Sequence, residues 1–103
     1  MEAVEINAGA WYLRALRNDD RVSDVPALAD LGIADPAGFV TAADAGWAEE
    51  TRFSWAVCEP TTGELMSLIT AEAGQAPLGR ARDGQQASLE DSLPVVTRFL
   101  QSL

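Results

Sequence analysis

The side chains that most often perform acid–base or metal chemistry are scarce in this chain. It contains no histidine and no lysine, and its single cysteine is Cys58. Histidine is the commonest general base and a frequent metal ligand, so the sequence predicts no metal site. Cys58 lies among apolar residues without a neighbouring cation, which favours a buried structural thiol over a reactive thiolate. One cysteine also permits no internal disulfide.

Carboxylates and aromatic rings are the remaining candidates for chemistry. A glutamate could act as a catalytic base, but no partner that would raise its pKa can be named, so a solvated charged face is favoured. The four glutamates concerned are Glu49, Glu50, Glu64 and Glu72. Tryptophans can stack on substrates, yet large aromatic side chains more often pack in a core. We expect this of Trp11, Trp47 and Trp55.

Composition limits the classes of protein to which the chain can belong. Its 103 residues suffice for one small domain, residues 1–103, and 48% of them are hydrophobic, which is typical of a globular protein. The net charge of −9 would repel a phosphate backbone, so we expect no nucleic-acid partner. No apolar run is long enough to span a membrane. The acidic N-terminus lacks the features of a signal peptide, so we expect a cytoplasmic protein.

The segment Phe53–Ile69 has the pattern of a β-hairpin. Trp55 and Val57 alternate with small residues, and the turn residues Pro60 and Gly63 interrupt the run. Apolar residues then occur on both faces of a second strand. Leu65 and Ile69 are expected on one face, with Met66 and Leu68 on the other. Because a strand covered on both faces lies inside a sheet, we expect this hairpin at the centre of the fold.

One strand and two helices are predicted before the hairpin. Alternation predicts a strand over Trp11–Arg17, after a lead-in over Met1–Gly9. A helix is expected from about Ser23 or Asp24, since Pro26 suits a first helical turn. Asp35 followed by Pro36 predicts the start of a second helix. Its apolar stripe comprises Phe39, Val40, Ala43 and Trp47.

The pattern is weaker after the hairpin and then becomes helical again. Residues 70–86 are rich in Gly, Ala and polar residues. Apolar residues recur every three or four positions from Leu89 to Leu103, which predicts a helix. Ser88 is expected to cap that helix, and Pro94 to kink it unless Ser92 is the cap. The fold class predicted is α/β (α+β), a mostly antiparallel sheet of three to four strands flanked by about three helices. The expected order is β-α-α-β-β-(β)-α.

Three stretches of the chain resemble the GNAT family of N-acetyltransferases, of the RimJ/RimL-like type. Tyr12–Arg17 followed by Asp19 and Asp20 is similar to the family's opening strand. Ser54–Cys58 with Thr62–Leu65 is similar to the hairpin of its second and third strands. Ala71–Ala87 is similar to a compressed fourth strand and cofactor loop. The resemblance covers about the first two-thirds of a family member, which implies a truncated GNAT-like domain.

The resemblance also implies a site for acetyl-CoA. In that family the pyrophosphate lies on backbone N–H groups at a helix N-terminus, where open donors and the helix dipole favour an anion. The family pattern is Gln/Arg-x-x-Gly-x-Gly/Ala. Residues 82–87 retain its first and last positions, with Gln85 in place of the central glycine and Asp83 adding a negative charge. The residues implied to bind the cofactor are Arg80, Arg82, Gly84, Gln85 and Ala87.

Two functions remain open from the sequence. One is N-acetyltransfer from acetyl-CoA to an amine, with catalytic residues unknown. The other is a non-catalytic binding or dimerising module derived from the GNAT fold, in which residues 79–84 are only a solvated connection. A homo-oligomer could form through an exposed sheet edge or through an exposed apolar face of the last helix, because such surfaces favour self-association.

Overall fold

The fold is built around a hairpin that lies in the middle of an antiparallel sheet. The computed structural model describes all residues from Met1 to Leu103. Its elements are β1 (Ile6–Ala8), β2 (Trp11–Arg14), α1 (Val25–Asp30), α2 (Pro36–Glu49), β3 (Arg52–Cys58), β4 (Leu65–Glu72), β5 (Leu78–Ala81) and α3 (Gln86–Gln101). The five strands lie in the order β1-β2-β3-β4-β5. The α+β class is therefore confirmed, whereas the expected count of three to four strands and the expected order are wrong.

The predicted hairpin consists of β3 and β4. Glu59 stabilises its turn by accepting hydrogen bonds from the N–H groups of Thr61 and Thr62, at 3.1 and 2.8 Å. Gly63 closes the turn with a φ of +71°, which a side chain would disfavour. The register shifts between Val57 and Cys58, so that Cys58 pairs with Leu65.

That register shift changes one prediction about the faces of the sheet. Leu65 packs in the cluster with Cys58 and Leu68, and Ile69 packs in the opposite cluster. The expectation that Leu65 and Ile69 share a face was therefore wrong. A β-bulge adds one residue to one strand, and side chains beyond it change sides relative to simple alternation.

The sheet is covered on both faces. On one face the side chains of α3, including Leu89 and Val96, pack against Trp55 and Ile69. On the other face α1 and α2 cover a second cluster, which comprises Leu16, Ala27, Leu28, Ala43, Ala56, Cys58, Leu65 and Leu68. None of the helices is long and apolar enough to cross a membrane.

The first two helices begin where their proline signals predict. Asp24 precedes α1, with Pro26 in the first turn. Asp35 caps α2 by accepting a hydrogen bond from the Gly38 N–H at 3.2 Å. The strand before them, β2, ends at Arg14 rather than at Arg17. The Arg17 carbonyl instead accepts a hydrogen bond from the Asp24 N–H at 2.8 Å, which turns the chain toward α1.

Two segments expected to lack regular structure are strands. The lead-in Met1–Gly9 contains β1, which pairs with β2. Residues 70–86 contain the end of β4 and all of β5, which pairs with β4 from Leu78 to Ala81. Both new strands are short, and their pairing with a longer neighbour stabilises them.

The last helix starts earlier than predicted. It begins at Gln86 with Gln85 in the capping position, so neither Ser88 nor Ser92 is its cap. The Ser88 side chain is buried, and its hydroxyl contacts the Ser67 hydroxyl at 3.0 Å across the face of the sheet. Pro94 lies inside the helix, on its exposed side.

Candidate anion site at the junction of β5 and α3

The residues that the resemblance implied for cofactor binding lie together where β5 leads into α3. Residues 82–85 form the turn between the end of β5 and the first residue of α3. Gly84 has a φ of +77°, a backbone conformation that favours glycine. Apart from its two chain neighbours, no residue has an atom within 4 Å of the position where a Cβ would stand on Gly84. The turn is therefore open to solvent on the side of Gly84.

The first turn of α3 provides donors at this junction. The first amides of an α-helix have no acceptor within the helix, and the helix dipole makes its N-terminus attractive to anions. Gln86 and Ala87 are exposed, and the side chain of Ala87 is only a methyl group. The backbone there can consequently accept a negatively charged group without displacing a side chain.

Arg82 is engaged by carboxylates from two other elements. Its Nη1 donates to Glu64 Oε1 at 2.7 Å and to the Leu65 carbonyl at 3.2 Å. Its Nη2 donates to Asp30 Oδ2 at 3.0 Å. The hydrogen bond to Glu64, followed by the attraction of both carboxylates, raises the pKa of Arg82 above its ordinary value. Its charge is thus balanced within the protein.

Arg80 points in the same general direction as Arg82, toward α1. Its Nη1 donates to the carbonyl of Leu31, just past the end of α1, at 3.0 Å. It has no carboxylate within ion-pair distance. Side chains two apart on a strand share a face, which is why both arginines of this region lie on the α1 side of the sheet.

A groove of about 610 Å³ lies beside these arginines. Its walls carry the two guanidinium groups of Arg80 and Arg82 and three carboxylates. The carboxylates belong to Asp30, Glu64 and Asp83. The acids outnumber the arginines, so an anion is better accommodated at the amides of the turn than inside this groove.

The outer edge of β5 is a second feature of the junction. β5 is the last strand of the sheet. The Arg82 N–H bonds to the Met66 carbonyl at 2.9 Å, so Arg82 and Arg80 direct their backbone groups to β4. Because backbone groups alternate along an antiparallel strand, those of Gly79 and Ala81 point outward. An extended ligand could pair with this edge.

The other residues considered for chemistry are dispersed. Glu72 lies beside Arg52, with 3.6 Å between Oε1 and Nε, and Glu50 lies 3.6 Å from the N-terminal amine. Trp47 and Trp55 pack edge to face in the core, with ring centroids 5.1 Å apart. Trp11 is half-buried, and its indole N–H donates to Asp91 at 3.0 Å.

The Trp47 indole has a structural role that the sequence did not reveal. It donates a hydrogen bond to the Ser54 carbonyl at 3.1 Å. Ser54 lies beyond the last residue pair of β2 and β3, which is Arg14 with Ala56. The indole therefore satisfies a strand carbonyl that no neighbouring strand reaches.

Sequence reasoning did not connect Arg82 with its partners Asp30 and Glu64. They lie 52 and 18 residues away from it along the chain, so no local pattern connects them. In comparisons with family models, with curated proteins and with solved structures, no match to this chain was found. Its function must therefore be argued from its own residues.

Proposed function

We propose that this chain is a GNAT-like N-acetyltransferase domain that binds acetyl-CoA at the junction of β5 and α3. The observation that carries the proposal is the open turn at Gly84, which joins an edge strand to the N-terminus of a long helix. The pyrophosphate would lie on the amides of Gly84, Gln86 and Ala87, where the dipole of α3 favours negative charge, because the Gln85 N–H already donates to the Arg82 carbonyl at 2.9 Å. The pantetheine arm would pair with the outward backbone groups of Gly79 and Ala81.

The sequence resemblance described above supports the same assignment. Its β3–β4 hairpin and the strand-turn-helix order after it are what a GNAT-like first half requires. Acetyl-CoA would supply the acetyl group, which passes to an amine by direct attack on the thioester carbonyl. No histidine is present, and no glutamate lies in a position that would identify it as the base. The catalytic residues therefore stay unassigned.

A second candidate function is a non-catalytic binding or dimerising module. Arg82 favours it, because Glu64 and Asp30 already balance its charge. Asp83 also places a carboxylate in the turn where a pyrophosphate would lie. The unpaired edge of β5, beside Leu78 with 74% of its surface exposed, is where a second copy would dock. A solution mass equal to one chain of 11.0 kDa would exclude the dimer.

Calorimetric titration with acetyl-CoA tests the proposed site. Ala87→Glu places a carboxylate in front of the first-turn amides, where it should repel the pyrophosphate while interacting favourably with the helix dipole. We expect this variant to fold and to lose binding by about tenfold or more. Ala87→Gln is the matched control, similar in size but neutral, and should retain most of the affinity. Asp83→Asn should bind more tightly than the natural chain.

The outcomes separate the two candidate functions. Absence of heat at millimolar acetyl-CoA would remove the acetyltransferase proposal and leave the non-catalytic module. Equal binding by Ala87→Glu and Ala87→Gln would place the ligand elsewhere. Binding at this junction without acetylation of any amine in a mixed peptide pool would identify a CoA-binding module instead of an enzyme.

A further inference from the structure

A second groove lies on the opposite side of β5 from α3, between the sheet and the segment that joins α1 to α2. Its volume is about 380 Å³, which is within the size range of small-molecule sites. Apolar side chains form most of its surface. They are Ile33, Phe39, Leu68 and Leu78. The exposed side chain of Leu78 therefore lines this groove as well as the edge of the sheet.

The charges in this groove are all positive. Arg52 and Arg80 line it, and no carboxylate does. This composition is unusual here, because the chain has 16 acidic residues and a net charge of −9. The other two grooves of the protein each include at least one carboxylate in their walls. Among the three, this groove alone combines apolar walls with an excess of positive charge.

The two arginines enter the groove from different ends. Arg52 lies opposite Glu72 on β4, and Arg80 lies opposite Leu68, four residues away along the same strand. The Arg52 guanidinium stacks over the Phe39 ring, with 5.1 Å from Cζ to the centroid, and faces Glu72 at its outer side. Arg80 has no ion-pair partner, so its charge is available to a ligand.

Two residues of this groove have hydrogen-bond donors that no protein group uses. Arg80 donates from Nη1 to the Leu31 carbonyl, while Nη2 and Nε make no hydrogen bond. The half-buried Thr70 is part of the groove, and its hydroxyl has no partner in the protein. A carboxylate is the group that such donors bind best, because a charged acceptor strengthens each hydrogen bond.

We propose that this groove binds a small carboxylate with an apolar body. The carboxylate lies on Arg80 and the Thr70 hydroxyl, and the apolar body lies against Phe39, Leu68 and Leu78. Arg52 adds positive potential from the far end of the groove. The proposal does not depend on acetyl-CoA binding, since the donors here are side chains facing α1 and α2 and not the amides of α3.

Titration followed by amide NMR shifts tests the proposal on the whole chain. The probes are phenylacetate and phenylacetamide, which share an apolar ring and differ in charge. We expect phenylacetate to bind at millimolar concentration and to shift the amide signals of Thr70 and Leu78. Phenylacetamide should bind about tenfold more weakly, because it lacks the charge-assisted hydrogen bonds.

Arginine variants locate the carboxylate. Arg80→Gln should weaken the binding of phenylacetate by about tenfold and leave the binding of phenylacetamide unchanged. Arg52→Gln should weaken the binding of phenylacetate less. Arg21→Gln is the matched control, since Arg21 is exposed, its side chain forms no ion pair, and it does not line the groove. Ala87→Glu should also leave phenylacetate binding unchanged, which separates this site from the acetyl-CoA site.

Three results would overturn the proposal. One is the absence of shifts at Thr70 and Leu78 at millimolar phenylacetate. Another is equal affinity for phenylacetate and phenylacetamide, which would indicate a purely apolar site. The third is an equal loss of phenylacetate affinity in Arg21→Gln and Arg80→Gln, which would indicate a general effect of net charge.

Discussion

Arg14 and Asp24 form a buried ion pair with two hydrogen bonds of equal length. Nη1 donates to Oδ2 and Nη2 to Oδ1, each at 2.8 Å, and the two residues are only 6% and 2% exposed. Arg14 also donates to the carbonyls of Ala15 and Gly63. Asp24 accepts the Arg17 N–H at 2.7 Å. The pair therefore connects β2, the start of α1 and the turn of the central hairpin.

Removal of one partner from this pair should destabilise the fold strongly. Arg14→Met leaves the Asp24 carboxylate buried without its counter-ion, and we expect a loss of about 3–5 kcal/mol in the free energy of unfolding. Replacing both residues, with Arg14→Met and Asp24→Leu together, should recover part of that loss. Urea unfolding curves measure both effects. Arg17→Met is the control, because the Arg17–Asp19 pair is exposed; a loss as large in that variant would contradict the expectation.

Gly46 should tolerate no side chain. A Cβ on this residue would lie 2.7 Å from the backbone oxygen of Arg52, where α2 approaches the start of β3. Intrinsic propensity would make Gly46→Ala stabilising, but this contact should instead cost about 1–3 kcal/mol. Thermal or urea unfolding measures the change. Asp44→Ala, on the exposed side of the same helix, should be nearly neutral. Increased stability of Gly46→Ala would show that α2 and β3 are further apart than described.

The Cys58 thiol should be unreactive in the folded protein. Burial raises its pKa from 9.0 to about 11, against the opposing attraction of Arg14. At neutral pH an aromatic disulfide reagent should label it only as fast as the chain unfolds, and at once in urea. The raised pKa also contributes stability that is present below pH 9.0 and is lost as the pH rises toward 11. Cys58→Ala should remove that alkaline dependence. Rapid labelling of the native chain would exclude the buried thiol.

The Asp19 carboxylate should contribute stability that acid removes. Its pKa is lowered from 3.8 to about 2, first by the hydrogen bond from Arg17 and then by the N–H groups of Val22 and Arg21. A carboxylate with a lowered pKa stabilises the fold at any pH above its ordinary pKa of 3.8. This contribution is lost as the pH falls from 3.8 to about 2. The difference in urea midpoint between the natural chain and Asp19→Asn should therefore shrink over that window. Asp20→Asn is the control, because the Asp20 carboxylate of the natural chain accepts no hydrogen bond, and this variant should show no such change. A difference in urea midpoint that stays constant for Asp19→Asn would refute this account.

The parts of the fold that the sequence predicts are those specified by neighbouring residues. The central hairpin follows from the alternation around Trp55 and the turn at Gly63, and both helix starts follow from proline and aspartate signals. The strands β1 and β5 could not be predicted, because their three and four residues lack a β pattern and depend on pairing with β2 and β4. Ser88 has the residue type of a cap, but its burial against Ser67 decides its role.

The residues of the candidate site were implied by the family resemblance, and their electrostatic surroundings could not be predicted from the sequence. The periodicity of the last helix can be inferred from local residues, whereas the strand β5 before Gly84 and the start of α3 at Gln86 become visible only in the folded chain. The partners of Arg82 come from α1 and from the central turn, and only the folded chain brings them near. The groove between Arg52 and Arg80 was missed for the same reason, since its walls come from four separate elements and the segment joining α1 to α2.

The order of strands in the sheet bears on the route by which the chain folds. β3, β4 and β5 follow one another directly and pair with their neighbours, whereas β2 must find β3 across the whole of α1 and α2. Closing a long loop costs more chain entropy than forming a hairpin. We expect φ-values near the Val57–Ser67 pair to exceed those near Leu13, so that the C-terminal strands nucleate the sheet and the N-terminal hairpin docks late.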